Sequence, residues 1–181
     1  MRKRYVLVLL AAFTGLTAGV AFAVAANGSS GPIVKTPGGE IFKVNKEAGD
    51  TLHFAPAVIT VTSGESVTFE KTDKSPDPHT VTIATSKAQL PRSFESPCKP
   101  CDAARGHLKN PKSQQGPPQN PVAHWVLDKG QPGFDTLGDS LVLAPKGPHK
   151  SATVVISAPA GTTLYFVCAI HPWMQGKIIV K

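Results

Sequence analysis

Charge is scarce in this chain. Asp, Glu, Lys and Arg make up 17% of its 181 residues, and there are only two methionines, three cysteines, two tryptophans and two tyrosines. So little charge excludes a coiled coil or a bundle of solvent-facing helices. There is no internal repeat, no glycine-rich phosphate loop and no strand–helix alternation, which excludes a nucleotide-binding parallel α/β fold. No Arg-rich stripe with interleaved aromatics occurs, so no nucleic-acid module is expected. Turn residues are plentiful instead, with 16 glycines and 17 prolines.

The formal charge is +7, and it is +4 once Arg2, Lys3 and Arg4 are set aside. A mild excess of this kind serves solvation or steers the chain toward acidic surfaces. Those basic residues precede an uncharged run over residues 6–26, with small residues at Ala21, Ala23, Ala25 and Ala26. The pattern is that of an export signal. The run is longer than a usual signal core and close to the ~20 residues that span a bilayer. Residues 1–26 therefore read as a signal peptide or as an N-terminal membrane anchor. No cysteine precedes Cys98, so a lipid anchor is not expected. Both readings place the rest of the chain outside the cytoplasm, in a periplasmic, cell-surface or secreted location.

Residues 27–40 read as a linker rich in Gly, Ser and Pro. Short runs of β type follow at 41–45, 51–54, 57–62, 66–71 and 79–84, with a turn at Ser63-Gly64-Glu65. They resume at 139–144, 151–157, 163–168 and 176–181, with a turn at Pro159-Ala160-Gly161. Strands of this length and spacing predict an all-β, antiparallel sandwich over residues 41–181. Residues 86–138 break the rhythm and read as a long loop-rich insertion, with a short helix near Cys101–Leu108.

Cys168, His171 and Met174 stand at a C-x2-H-x2-M spacing between two β runs. Thiolate, imidazole and thioether are the donors copper favours when it changes oxidation state. His79, at the head of HTVTI, supplies the second imidazole, which completes a set of two histidines, one cysteine and one methionine. If the leader is removed, Met174 is the only methionine left. A free thiol in an oxidising compartment also needs protection, which a metal provides.

The stretch Tyr165–Gly176 resembles the ligand loop of cupredoxins, the plastocyanin and azurin family, and its short spacing with Pro172 after the histidine is most similar to that of amicyanins. Residues 59–69 and Pro78-His79-Thr80-Val81 are similar to the family's pattern before its first histidine. The resemblance covers about 51–84 and 139–181. It implies a Greek-key sandwich with one copper ion on His79, Cys168, His171 and Met174, cycling between Cu(I) and Cu(II). It also implies single-electron transport rather than enzymatic activity, and a monomer that docks a redox partner near His171 and Trp173. Trp173 reads equally as an anchor for the loop. Where the family often carries an asparagine, this chain reads Lys71-Thr72-Asp73, with Asp73 as the substitute.

Multicopper catalysis would require closely paired histidines, and the chain has no H-x-H and no histidine adjoining Cys168. Two other readings use the same residues. One is a copper storage or delivery protein, and the other is a disulfide-stapled interaction domain with a vestigial site. Cys98-Lys99-Pro100-Cys101 reads as a structural disulfide, as part of a metal site with His107 or His124, or as a thiol-exchange centre. His53 reads as a core or edge residue, His149 as a solvated turn residue, and His124 with Trp125 as a tie from insertion to sandwich.

Overall fold

The structure, a computed structural model, describes residues 31–93, 95–109 and 122–181. The expected leader at 1–26, the first part of the linker and residues 110–121 of the insertion lie outside the described residues. Among the described residues eleven strands form: β1 (Ile33–Lys35), β2 (Glu40–Lys43), β3 (Glu47–Asp50), β4 (Val58–Val61), β5 (Ser66–Glu70), β6 (His79–Ala84), β7 (Val126–Leu127), β8 (Ser140–Leu143), β9 (Ser151–Val155), β10 (Thr163–Val167) and β11 (Gln175–Val180). One short helix, α1 (Lys99–Ala104), runs into a 3-10 turn at Arg105–His107.

Two sheets make the sandwich, a six-stranded one in the order β4-β11-β10-β6-β8-β7 and a three-stranded one in the order β1-β5-β9. The chain passes back and forth between them, because each strand exposes one apolar face that only the opposite sheet can cover. Alternation decides which side chains point inward. Val67 and Phe69 of β5 and Val154 of β9 meet Val81, Ile83, Leu141, Leu143, Leu164 and Phe166 of the large sheet in one buried cluster. Phe166 lies at the centre, edge-on to Phe54 at 5.0 Å and to Phe69 at 5.6 Å. Gly176 permits this, since a Cβ there would sit 2.2 Å from Phe166 Cζ.

The pairing is not wholly antiparallel. β1 runs parallel to β5, and β4 parallel to β11. Parallel neighbours need long connections, and these pairs are joined through other strands rather than by hairpins. The expected linker departs from expectation in the same place. Ile33–Lys35 completes the small sheet with Val34 fully buried. The run at 51–54 forms no strand, although Leu52 and Phe54 enter the core. β2 and β3 form a separate hairpin, exposed along its whole length.

The described part of the insertion covers the outer face of the large sheet. Every residue of β6 is buried, because its second face lies beneath α1. Ala84, Leu90 and Val167 pack there against Cys98, Cys101, Leu137 and Tyr165. β7 pairs with the outer edge of β8, and Phe134 reaches the main core.

Candidate metal centre

Three of the four expected ligands converge at one end of the sandwich. His79 opens β6, directly after the turn-rich Lys74–Pro78 segment. Cys168 directly follows β10, and β11 begins one residue after Met174. The loop between them is closed by its own backbone, with the Cys168 N–H donating to Met174 O at 3.0 Å and the Met174 N–H to His171 O at 2.9 Å. Thr80 ties this loop to β6. Its N–H donates to Cys168 Sγ at 3.3 Å, and its Oγ1 accepts from the Ala169 N–H at 2.7 Å. The Gln175 side-chain amide donates to Pro172 O and to Pro91 O.

His79 Nδ1 and His171 Nδ1 are 3.1 Å apart, and Cys168 Sγ lies 3.9 Å from the first and 3.7 Å from the second. A triangle of this size has a centre about 2 Å from each corner, within the roughly 2.0–2.3 Å of first-row metal bonds to nitrogen and sulfur. The residues therefore fit a single metal ion. All three are buried, with His171 at 5% exposure and the other two at 0%. Met174 is fully buried in the same core cluster as Cys168.

The tautomer of His79 follows from its other nitrogen. Nε2 lies 2.9 Å from Asp73 Oδ2. A carboxylate only accepts, so Nε2 carries the proton and Nδ1 turns its lone pair toward Cys168 and His171. Asp73 is itself held on both oxygens. Oδ2 accepts from Thr36 Oγ1 at 2.6 Å, and Oδ1 accepts from the Ser75 N–H at 3.0 Å and from the buried Lys71 ammonium. Lys71 Nζ also donates to Ser75 O at 3.0 Å.

The electrostatics match a metal-ready site. Burial holds His79 down to about pKa 4, opposed by Asp73 and helped by Lys71. His171 is also lowered by burial, against the pull of Asp50, Asp77, Glu40 and Asp73. Both rings are thus neutral at pH 7 and free to act as metal donors. Burial pushes the Cys168 thiol up, so a metal bound there would displace a proton from sulfur. Burial also works to raise Asp73, yet hydrogen bonds from Lys71 and Thr36 hold it down at about 2.

The remaining candidates fall elsewhere. Cys98 and Cys101 form a disulfide, with Cys98 capping α1. Cys168 is the one free cysteine. His107 is buried with Nδ1 donating to His124 O at 2.6 Å, so its place is structural. His53 is exposed and bonded to Thr51 O, facing away from Leu52 and Phe54. Trp125 stacks on His149 at 3.9 Å and its carbonyl accepts from the Val142 N–H, so it ties the insertion down. Trp173 is 45% exposed and lies edge-on to His171 at 5.3 Å.

From the sequence alone Lys71, Thr36 and Thr80 have no assigned role. Lys71 did carry a signal, since it continues the inward alternation of Val67 and Phe69. A second donor group, Glu40, Asp77 and His171, also comes together at the outer edge of His171.

No protein-family model matches the chain, and no curated protein matches it. Solved structures do resemble it. The dithionite-reduced auracyanin of the photosynthetic bacterium Roseiflexus castenholzii is 20% identical, over 83% of this chain and 95% of that one, with a TM-score of 0.44. A purple cupredoxin from Nitrosopumilus maritimus is 14% identical over 83% and 100% of the two chains, with a TM-score of 0.36. Oxidised plastocyanin from Dryopteris crassirhizoma is 17% identical over 82% and 99%, with a TM-score of 0.38. At these identities and scores the likenesses assign no chemistry, which rests on the site's own side chains.

Proposed function

We propose that this protein is a cupredoxin-type blue-copper carrier of single electrons. The observation that carries the reading is the buried triangle of two imidazole Nδ1 atoms and one thiol sulfur, with a fully buried methionine beside it. Bound copper would supply reversible one-electron chemistry between Cu(II) and Cu(I). His79, Cys168 and His171 would hold it, with Met174 as a further, weaker donor. The protein's part is to keep these ligands in place. Backbone hydrogen bonds within the loop and the Thr80 bridge hold the donors, so little reorganisation would accompany each transfer. The Thr80 N–H would carry part of the charge on the Cys168 sulfur. Burial would exclude water from the thiolate and limit its oxidation.

His171 would be the route for the electron, since it lies against the half-exposed Trp173. A redox protein would dock on that face. We also propose that the protein acts as a monomer outside the cytoplasm, after export through residues 1–26. Among the described residues no helix is long and apolar enough to cross a membrane, and the uncharged run at residues 6–26 would serve as a tether if retained. No catalytic role is proposed.

Protein-film voltammetry of the copper-loaded chain tests this reading. A reversible one-electron wave with fast exchange is expected. Copper that binds tightly but exchanges electrons slowly or irreversibly would instead indicate storage or delivery.

A further inference from the structure

The polar cluster behind His79 does more than fill space. Lys71 and Asp73 have side chains with 0% exposure, an uncommon placement for charged groups unless they are paired. Replacing such a pair with apolar residues is often neutral or stabilising, so stability alone does not explain it. Its placement does suggest a role. Asp73 Oδ2 accepts from His79 Nε2 at 2.9 Å, while Oδ1 accepts from Lys71 Nζ and from the Ser75 N–H. Thr36 Oγ1, just beyond β1, completes the shell at 2.6 Å from Oδ2. The ligand is therefore backed by a full carboxylate rather than by a neutral carbonyl, and a single ammonium balances that carboxylate.

We infer that Asp73 and Lys71 are opposed positioning residues that set how strongly His79 favours the oxidised metal. A carboxylate on the distal N–H makes an imidazole a stronger donor and fixes its orientation. A stronger donor favours Cu(II) over Cu(I). Lys71 draws on the same carboxylate from its other oxygen and limits that effect. The two residues therefore push in opposite directions, which a merely structural pair would not do. The inference rests on the copper reading above and concerns its regulation.

The test is the reduction potential of the copper-loaded full chain and three variants, with absorption spectra to confirm intact sites. Asp73→Asn keeps the shape and removes the charge. Loss of such a partner typically weakens metal affinity about 10–100-fold. Falling on Cu(II), this raises the potential by about 60–120 mV, at roughly 59 mV per decade for one electron. Lys71→Met leaves the carboxylate unopposed and lowers the potential. The double variant Lys71→Met/Asp73→Leu removes both charges and raises it, which keeps the test open if a single variant does not fold. Shifts of opposite sign in the two single variants support the inference. Unmoved potentials, or shifts of the same sign, in folded blue variants overturn it.

If the parent takes up no blue copper, the copper reading fails by itself. Nitrogen NMR of the copper-free chain then decides the positioning role. A His79 proton on Nε2 in the parent, with mixed tautomers in the double variant, upholds that role. The same tautomer in both overturns it.

Discussion

The ligand loop at 168–174 and the insertion at 86–138 are both excursions from the sandwich, yet they are held by different means. The loop is short, and its ends bond to each other and to Thr80. Cys168 and Met174 belong to the main core. The insertion instead lies across the outer face of the large sheet. A disulfide, a two-residue edge strand, a small apolar cluster and the single anchor Phe134 hold its described part. The first excursion is part of the core, so strain in the core reaches its geometry. Around its disulfide the second is an added layer, and changes there should leave the site intact.

The most damaging change is expected where the loop meets the core. Phe166→Ala should cost about 3–5 kcal/mol, as for other fully buried aromatic truncations. Denaturant titration of the copper-free chain reads this directly. A loss below about 1 kcal/mol would break the claim that loop and core are one unit.

Next in size is a pH effect on the copper-free chain. His79 titrates near 4 when folded against an ordinary value of 6.5. The unfolded chain therefore takes up the proton first, and stability falls as pH drops from about 6.5 toward 4. The loss is on the order of 3 kcal/mol from this group. Asp73, held near 2, adds a further loss as pH falls below its ordinary 3.8. Thermal melts across this range should show the slope, and His79→Gln should flatten its upper part.

The insertion should respond more weakly. The Cys98–Cys101 bridge closes a loop of only three residues' separation. The double variant Cys98→Ala/Cys101→Ala should cost about 2 kcal/mol or less. Copper affinity and spectrum should stay at parental values. A changed spectrum would show that the added layer does shape the site.

The smallest effect on stability is expected at the surface. Trp173→Ala, which removes a half-exposed ring edge-on to His171, should cost about 1 kcal/mol or less. It should nevertheless slow electron transfer to a protein partner, measured by stopped-flow absorption. An unchanged rate would move the docking face away from His171.

Much of the sandwich was legible because period-two burial survives in β4, β5, β10 and β11, while β6 and β8 are short apolar-rich runs buried on both faces. The spacing of Cys168, His171 and Met174 was legible because one tight loop holds them all. His79 was legible only as a histidine at the head of a β run after a turn-rich segment, since it lies 89 residues from Cys168, and the family resemblance then agreed with it. Less could be read where tertiary contacts override local pattern. Ile33–Lys35 sits among Gly and Pro and reads as linker, yet β5 offers it an open edge. Leu52 and Phe54 alternate like a strand, and their segment does bond to residues 35–39, through the N–H groups of Thr51, His53 and Ala55, but only one bridge forms and no ladder. Lys71 is buried against every average for lysine, and only the positions of Asp73 and Ser75 explain it.

The central claim is that His79, Cys168 and His171 hold copper through a thiolate. The most direct measurement is an absorption spectrum of the chain from residue 27 onward, titrated with Cu(II) beside its Cys168→Ser variant. An intense blue sulfur-to-copper band in the parent, absent from the variant, is the predicted result. A colourless parent, or one with only the pale bands of nitrogen- and oxygen-bound copper, would contradict it.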